Sequence, residues 1–459
     1  MKSYLTFWDF LLAPIYLAIV YWIAGYFAKR WTNKYTKKYF YWGLHAKLFG
    51  AFAFTMVYAF YYGGGDTFVY VEDAKKIFHV FLDNPITGVK VFFLEAKELT
   101  NDTFQYTSRF WMFSKTSNWA VAKIASIIGL FTFANYLPTS FFFALFSFLG
   151  IWKVYQFFVS TYPQLYKELA LLSLFIPSTL FWSSSVLKET ITSGAIGFFL
   201  YYSTQLFFKQ KDILKSMIIC LCMYILIKDI KGITITAFLP CLMIWLFQKY
   251  QQSLGTAGKV GTTLILFLSL PVILLAISSG ITNQIEESEA FQETQSKVIG
   301  FHTDHGRAYM KGHGGGLASS YQLSGMGDAS INGMLRSIPE AVNVTLFRPY
   351  LWEVRKPVQF VGALESFAFL IMTLYLLLKA GPIKFFKQIF SNPEVALCIS
   401  YSILFGFIVG FTSFNFGVLQ RFKTPLLPFY TIGLYLIYKG IPTTKKKSPS
   451  PRKRKTLLH

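Results

Sequence analysis

Residues 11–28 read LLAPIYLAIVYWIAGYFA, and no charged side chain interrupts them. An α-helix rises about 1.5 Å per residue, so a run of this length spans the hydrocarbon core of a membrane, which is roughly 30 Å thick. Comparable apolar blocks recur at residues 141–159, 190–208, 262–278, 358–378 and 395–412. Soluble helices are seldom apolar on every face over such a length. The predicted fold class is therefore an all-α polytopic membrane protein.

The composition supports this prediction and limits the function. Of 459 residues, 54% are hydrophobic and 14% are charged, and the mean hydropathy is +0.43. A soluble chain carries about 25% charged residues. The net charge of +22 is also typical of proteins that bind nucleic acid. Here, however, the basic residues lie in short loops between apolar blocks and in the tail 441–459. Because this distribution follows the positive-inside rule, we predict a membrane-lipid partner and no nucleic acid.

The basic loops also orient the chain. Lysines and arginines at residues 29–38 place the first loop in the cytoplasm, so the N-terminus is outside and the basic tail is inside. A chain that starts outside and ends inside must cross the membrane an odd number of times. About eleven transmembrane helices meet this condition if residues 119–133 form an interfacial or re-entrant helix. We predict one transmembrane domain over residues 1–440, with long outer loops at 63–138 and 282–357, followed by the cytoplasmic tail 441–459.

Asp66 is the first candidate for chemistry on the outer side. It follows Gly63, Gly64 and Gly65, which allow a sharp turn after the second crossing. A partly desolvated carboxylate there could act as a general base on a sugar hydroxyl, or bind a cation. The alternative is a solvated aspartate after a flexible turn.

Two further outer turns carry charges inside otherwise apolar sequence. PSTLFWSSSVLKET (177–190) contains Lys188 and Glu189, and KDIKG (228–232) contains Lys228 and Lys231. Ionisable residues within membrane hairpins indicate function by default. Glu189 is therefore a second catalytic candidate, and the three lysines are candidate phosphate ligands. An ion pair that locks the packing, or a plain hairpin turn, would give the same patterns.

The last two outer segments are basic and aromatic. LFRPYLWEVRKP (346–357) contributes Arg348 and Arg355, and NFGVLQRFKTPLLP (415–428) contributes Arg421 and Lys423. Guanidinium groups bind phosphate with two parallel hydrogen bonds, which favours a substrate-binding role. Anchoring of the segments at the membrane interface is the alternative.

The sequence predicts neither a metal site nor a nucleotide cofactor. His302, Asp304, His305 and His313 lie close together, but their spacing fits no standard zinc site. The glycine run at 312–316 lacks the Gly-Lys-Ser/Thr ending of a P-loop. The four cysteines all lie in apolar blocks, which favours a packing role.

Three segments together resemble a known group of proteins. The glycine turn with Asp66, LFWSSSVLKETI (180–191) and NFGVLQRFKTPLLPFYTIGLYLIY (415–438) look like bacterial membrane proteins of surface-polysaccharide assembly. These are the EpsG-like and Wzy-type polymerases and the GT-C glycosyltransferases, which use lipid-linked donors.

The resemblance implies a GT-C-like fold in the bacterial inner (cytoplasmic) membrane. It also implies outward-facing transfer of sugar from a polyprenyl-phosphate or polyprenyl-pyrophosphate donor, with envelope-assembly proteins as partners. On this pattern Asp66 corresponds to the first-loop acid, and Arg421 to the late-loop cation. Two alternatives stay open: a transporter or flippase of a lipid-linked saccharide, and a non-catalytic scaffold of an envelope machine.

Overall fold

The computed structural model describes residues 4–209, 212–253, 321, 323, 331–355, 357–413 and 415–440. Within these residues the secondary structure is all helical, without a β-strand, in agreement with the predicted class. The helices are α1 (Phe7–Trp31), α2 (Lys37–Met56), α3 (Asp66–Asp83), α4 (Pro85–Phe93), α5 (Phe104–Thr107), α6 (Thr116–Thr132), α7 (Tyr136–Thr161), α8 (Tyr166–Leu174), α9 (Pro177–Trp182), α10 (Lys188–Thr204), α11 (Ile213–Ser253), α12 (Ile331–Phe347), α13 (Pro357–Ala380), α14 (Pro382–Ser391), α15 (Pro393–Ser413), α16 (Phe416–Phe422) and α17 (Leu427–Gly440).

Among the described residues, five helices are long and apolar enough to cross a membrane. They are α1, α2 with its extension to Tyr61, α7, α13 and α15. Large apolar side chains stay on their outer surface, such as Trp22, which is 79% exposed, and Leu378, which is 85% exposed. Apolar surface of this extent is stable in lipid rather than in water. The chain therefore has the character of an α-helical membrane protein. The apolar block 262–278 lies outside the described residues.

Two clusters of charged residues lie near helix termini, and we use them to name the two ends of the bundle. At one end, which we call the Asp66 end, Asp66, Glu189, Lys231 and Arg421 come together. At the other, the Glu394 end, the carboxylate of Glu394 is bonded by Trp245 and Lys249 of α11 and by Tyr162, which directly follows α7. Helix α10 begins at the first end, and α15 begins at the second.

Helix α11 has residues at both ends of the bundle and is kinked in the middle. Lys231 has a non-helical backbone (φ −155°, ψ 71°) that separates two arms. Lys231 contacts Glu189, whereas Trp245 and Lys249 contact Glu394. The KDIKG segment thus forms the break that its sequence predicted.

Glycines let α7 and α10 pack with their backbones in contact. A Cβ atom built on Gly150 would lie 2.0 Å from the carbonyl oxygen of Gly194, and one on Gly197 would lie 1.9 Å from that of Gly150. Any side chain at Gly150 or Gly197 would push the helices apart. This close crossing fixes the direction in which α10 presents its first turn.

The two long segments predicted as outer loops contain helices. Helix α6 starts at the Asp66 end, where Ser117 bonds Lys188, and the Thr132 hydroxyl at its other end bonds Thr139 near the start of α7. It therefore does not run between the two ends. Helix α12 packs against α15 through Thr345, whose hydroxyl donates to the carbonyl oxygen of Gly406 at 2.6 Å.

Candidate functional site at the Asp66 end

Glu189 is the centre of the charged cluster. It is the second residue of α10 and is fully buried. Its Oε2 accepts from Nε of Arg421 at 2.6 Å, and its Oε1 accepts from Nζ of Lys231 at 3.1 Å. The positive end of the helix dipole also favours a carboxylate here. Glu189 therefore ties α10, α11 and α16 together through one carboxylate.

Asp66 approaches the same arginine from the solvent side. It begins α3 directly after Gly63, Gly64 and Gly65, which all have positive φ (65°, 142° and 145°). Only glycine adopts such a run readily, so the turn depends on these residues. The Asp66 Oδ2 lies 3.4 Å from Nη1 of Arg421, and the Asp66 side chain is 63% exposed. Arg421 thus lies between a buried acid and an exposed one.

Helices α3 and α6 cover the cluster on one side. Lys188 donates from Nζ to the Ser117 hydroxyl at 2.8 Å, and the Tyr70 hydroxyl donates to Oδ1 of Asn118 at 3.2 Å. Burial raises the pKa of the Tyr70 phenol, although the Arg421 charge acts in the opposite direction. The phenol therefore stays protonated and able to donate near neutral pH.

A fully buried phenol links the two helix starts that carry the acids. The Tyr136 hydroxyl bonds the Thr67 hydroxyl at 2.6 Å and the Ser185 hydroxyl at 2.7 Å. Thr67 follows Asp66 in α3, and Ser185 lies in the turn before Glu189. Tyr136 and Thr67 were not predicted from the sequence, because neither tyrosine nor threonine is unusual near a membrane interface.

A buried lysine bonds the end of α9 and the start of the turn that leads to Glu189. Lys47 of α2 donates from Nζ to the Ser183 hydroxyl at 2.7 Å and to the carbonyl oxygen of Thr179 at 3.0 Å. These groups lie at the C-terminal end of α9, where a cation is favourable. Lys47 was not predicted either, although a lysine within the apolar sequence of α2 was a usable signal.

Aromatic rings form the wall beside Asp66. The turn Val57–Tyr61 is a π-helical extension of α2, a feature that often occurs at functional sites. The Tyr58 ring packs against Gly65, where a built Cβ would lie 2.8 Å from the ring. Tyr58 also contacts Tyr62 and Trp182, with ring centroids 5.0 Å and 6.3 Å away.

Lys423, a predicted substrate ligand, is not part of this cluster. It is fully buried, and its Nζ donates to the Ser366 hydroxyl at 2.9 Å and to the carbonyl oxygen of Thr345 at 3.1 Å. It connects α16 to α12 and α13. Its contacts are those of a packing residue, two positions after Arg421 but on another side of the chain.

The other predicted ligands also lie elsewhere. Arg348 pairs with Glu353 through Nε, at 3.1 Å to each carboxylate oxygen, and through Nη2. Arg355 and Lys228 are exposed and do not join the cluster. Of the nine predicted site residues, the structure brings Asp66, Glu189, Lys231 and Arg421 into direct contact, with Lys188 beside them.

The cluster has more positive than negative charge. Arg421, Lys231 and Lys188 face the two acids Glu189 and Asp66, so the formal sum is +1, or +2 without the exposed acid. Such a site can bind an anion and place one carboxylate at its rim. In the part of the chain that the structure describes, no group of three or more His, Cys, Asp or Glu side chains could hold a metal ion. His302, Asp304, His305 and His313 lie outside that part.

Comparison with known proteins adds no assignment: no family model, no curated protein and no solved structure matches this chain.

Proposed function

We propose that the chain is a membrane glycosyltransferase or polysaccharide polymerase that uses a polyprenyl-phosphate or polyprenyl-pyrophosphate sugar. The supporting observation is the arginine shared by a buried and an exposed carboxylate, with two lysines beside it. Cations positioned where negative charge develops stabilise a departing phosphate. An exposed carboxylate beside them is suited to accept the proton of an incoming hydroxyl.

In the proposed reaction, the oxygen of an acceptor sugar hydroxyl attacks the anomeric carbon of the donor sugar. The bond from that carbon to the phosphate oxygen breaks, and the phosphate leaves with the electron pair. Asp66 takes the hydroxyl proton, while Arg421, Lys231 and Lys188 stabilise the charge on the phosphate. Glu189, predicted as a second catalytic acid, is a positioning residue in this scheme because both its oxygens hold cations.

The proposed setting is the outer face of a bacterial inner membrane, within an envelope-assembly system. In this proposal the five long apolar helices α1, α2, α7, α13 and α15 cross the membrane. The stretches α8 with α9, α10, each arm of α11, α17 and the apolar block 262–278 would complete eleven crossings. An odd number of crossings would put the basic tail in the cytoplasm and the Asp66 end outside.

The test is transfer activity in a strain deleted for its chromosomal copy. We expect Asp66→Asn and Arg421→Ala each to reduce polymer by about 10²-fold or more, with normal amounts of protein in the membrane. Asp102→Asn is the matched control, since Asp102 is an exposed acid of the same outer segment, paired with Lys90 at 2.8 Å. Wild-type polymer from the Asp66→Asn strain would refute the assignment of the base.

A flippase of a lipid-linked saccharide is the second candidate, and one observation favours it. The stretch from α8 to α10 is broken at residues 175–176 and 183–187, and Lys47 and Glu365 are buried against α9. Broken helices with buried charges are common in transporters. Movement of a labelled lipid-linked saccharide across proteoliposomes, without formation of a glycosidic bond, would favour this candidate over the transferase.

A further inference from the structure

The guanidinium of Arg421 presents two edges, and they are bound very differently. The Nε edge contacts Glu189 at 2.6 Å, and that acid is fully buried. The Nη1 atom contacts Asp66 at 3.4 Å, and that acid is 63% exposed. If Glu189 moved away, two cations would remain unpaired in an apolar interior. Asp66 can break its contact with Arg421 at a much lower cost.

Three features make the Asp66 contact replaceable. It is long for a charge-assisted hydrogen bond, which is normally about 2.7–2.9 Å. Exposed ion pairs contribute little because water and salt screen them. Asp66 is also the first residue of α3 and lies at the rim of the cluster, so its side chain can rotate toward water while the backbone stays in place.

A phosphate group is the ligand that would replace it best. Two oxygens of a phosphate can accept from two parallel N–H groups of a guanidinium at once. Asp66 makes only one contact of 3.4 Å, from a single carboxylate oxygen. Lys231 and Lys188 add positive charge beside Arg421. Release of Asp66 would leave these cations with only the buried acid, a formal excess of +2 that a phosphate would neutralise.

We propose that Asp66 and a ligand phosphate compete for the same edge of Arg421, so that Asp66 fills an anion site in the free protein and is released when the phosphate binds. This inference rests on the proposed function for the identity of the ligand, a phosphate that ends a lipid. It adds an order of events, because Asp66 becomes available to an acceptor hydroxyl once the donor phosphate holds Arg421.

The test is phosphate binding to the full-length protein in nanodiscs of zwitterionic phosphatidylcholine. Three probes separate the sources of the phosphate: inorganic pyrophosphate, farnesyl phosphate, and farnesol, which lacks the phosphate. We expect Asp66→Asn to bind the two phosphate probes about threefold to fivefold more tightly than the wild type, and farnesol unchanged. Asp102→Asn, which removes the same charge from the same outer segment, should change none of the three.

A double-mutant cycle separates competition from general electrostatics. If Asp66 merely repels anions through space, Asp66→Asn will tighten binding equally in a wild-type and an Arg421→Lys background. If the two groups compete for the guanidinium edge, the gain will disappear in the Arg421→Lys background. Equal gains in both backgrounds, or no gain from Asp66→Asn alone, would overturn the proposal.

The two proposals can fail separately. Tighter phosphate binding by Asp66→Asn together with wild-type polymer would leave the anion exchange intact and remove Asp66 as the base. Loss of polymer without any change in phosphate affinity would retain the base and refute the competition.

Discussion

The two ends of the bundle contain the same local arrangement of an acid and a lysine but differ in their other partners. Glu189 is the second residue of α10, and Glu394 is the second residue of α15. Both are buried, and both bond a lysine of α11: Lys231 at 3.1 Å and Lys249 at 2.7 Å. An acid in the first turn of a helix, paired with a cation, is a favourable motif in either place.

The remaining partners differ. Glu394 is completed by neutral donors, the Tyr162 hydroxyl at 3.2 Å and Nε1 of Trp245 at 3.4 Å. One acid faces one cation there, and the charges balance. Glu189 instead holds a second cation, Arg421, which reaches on to an exposed acid. The comparison indicates that the pairing around Glu394 is balanced in charge, whereas the Asp66 end has an excess of positive charge, where the proposed phosphate would bind.

Glu189→Gln should produce the largest loss of activity among the changes at the two ends. The amide keeps the size of the side chain but removes the charge that orients Arg421 and Lys231. We expect transfer activity to fall by about 10²-fold, because misplaced donors lose most of their stabilising effect on the leaving phosphate. The measurement is polymer formed per amount of folded protein. Activity within threefold of the wild type would show that Glu189 does not position the cations.

Tyr136→Phe should give a smaller effect at the same end. The ring and its packing against Phe68, with centroids 4.3 Å apart, are retained. The bonds to Thr67 and Ser185 are lost, so the start of α3 is no longer fixed to the turn before α10. We expect about a tenfold loss in kcat with little change in the KM for the donor, since the loosened residue is Asp66, the proposed base.

Tyr155→Phe is the matched control for Tyr136→Phe. Tyr155 is a buried tyrosine of the same helix, and its hydroxyl donates to the carbonyl oxygen of Tyr166 at 3.1 Å, away from the Asp66 end. Its loss should lower stability by about 1 kcal/mol and leave kcat unchanged. Equal effects of the two variants on kcat would show that Tyr136 acts through general packing.

Much of the Asp66 end was predictable from the sequence because charge is rare in membrane segments. Glu189, Lys231 and Arg421 each interrupt apolar sequence, and the basic loops predicted that their turns face the same side. What the sequence could not provide is the pairing. Whether Glu189 bonds its neighbour Lys188 or the distant Arg421 depends on how α10 packs with α11 and α16. The position of α10 depends in turn on its backbone contact with α7 at Gly150.

Lys423 and Arg348 also show that the sequence does not predict which side chains pair. Arg421 and Lys423 are two positions apart, and side chains with that spacing do not share a face at a helix end. One contacts Glu189, and the other bonds Ser366 and Thr345. Arg348 is similar, because the turn after α12 brings Glu353 back to it. A composition of basic and aromatic residues does not distinguish a free cation from one that is already paired.

Glu394→Gln should produce the smallest effect on activity. Lys249 is 25% exposed, so it can turn to water when the charge opposite is removed. The amide oxygen can still accept from Trp245. We expect a loss of about 1–2 kcal/mol in the free energy of unfolding, with transfer per folded molecule within twofold of the wild type. Thermal unfolding in detergent and polymer synthesis are measured on the same preparation. A large loss of transfer with unchanged stability would mean that the Glu394 end also takes part in function, and that the two ends are coupled along the arms of α11.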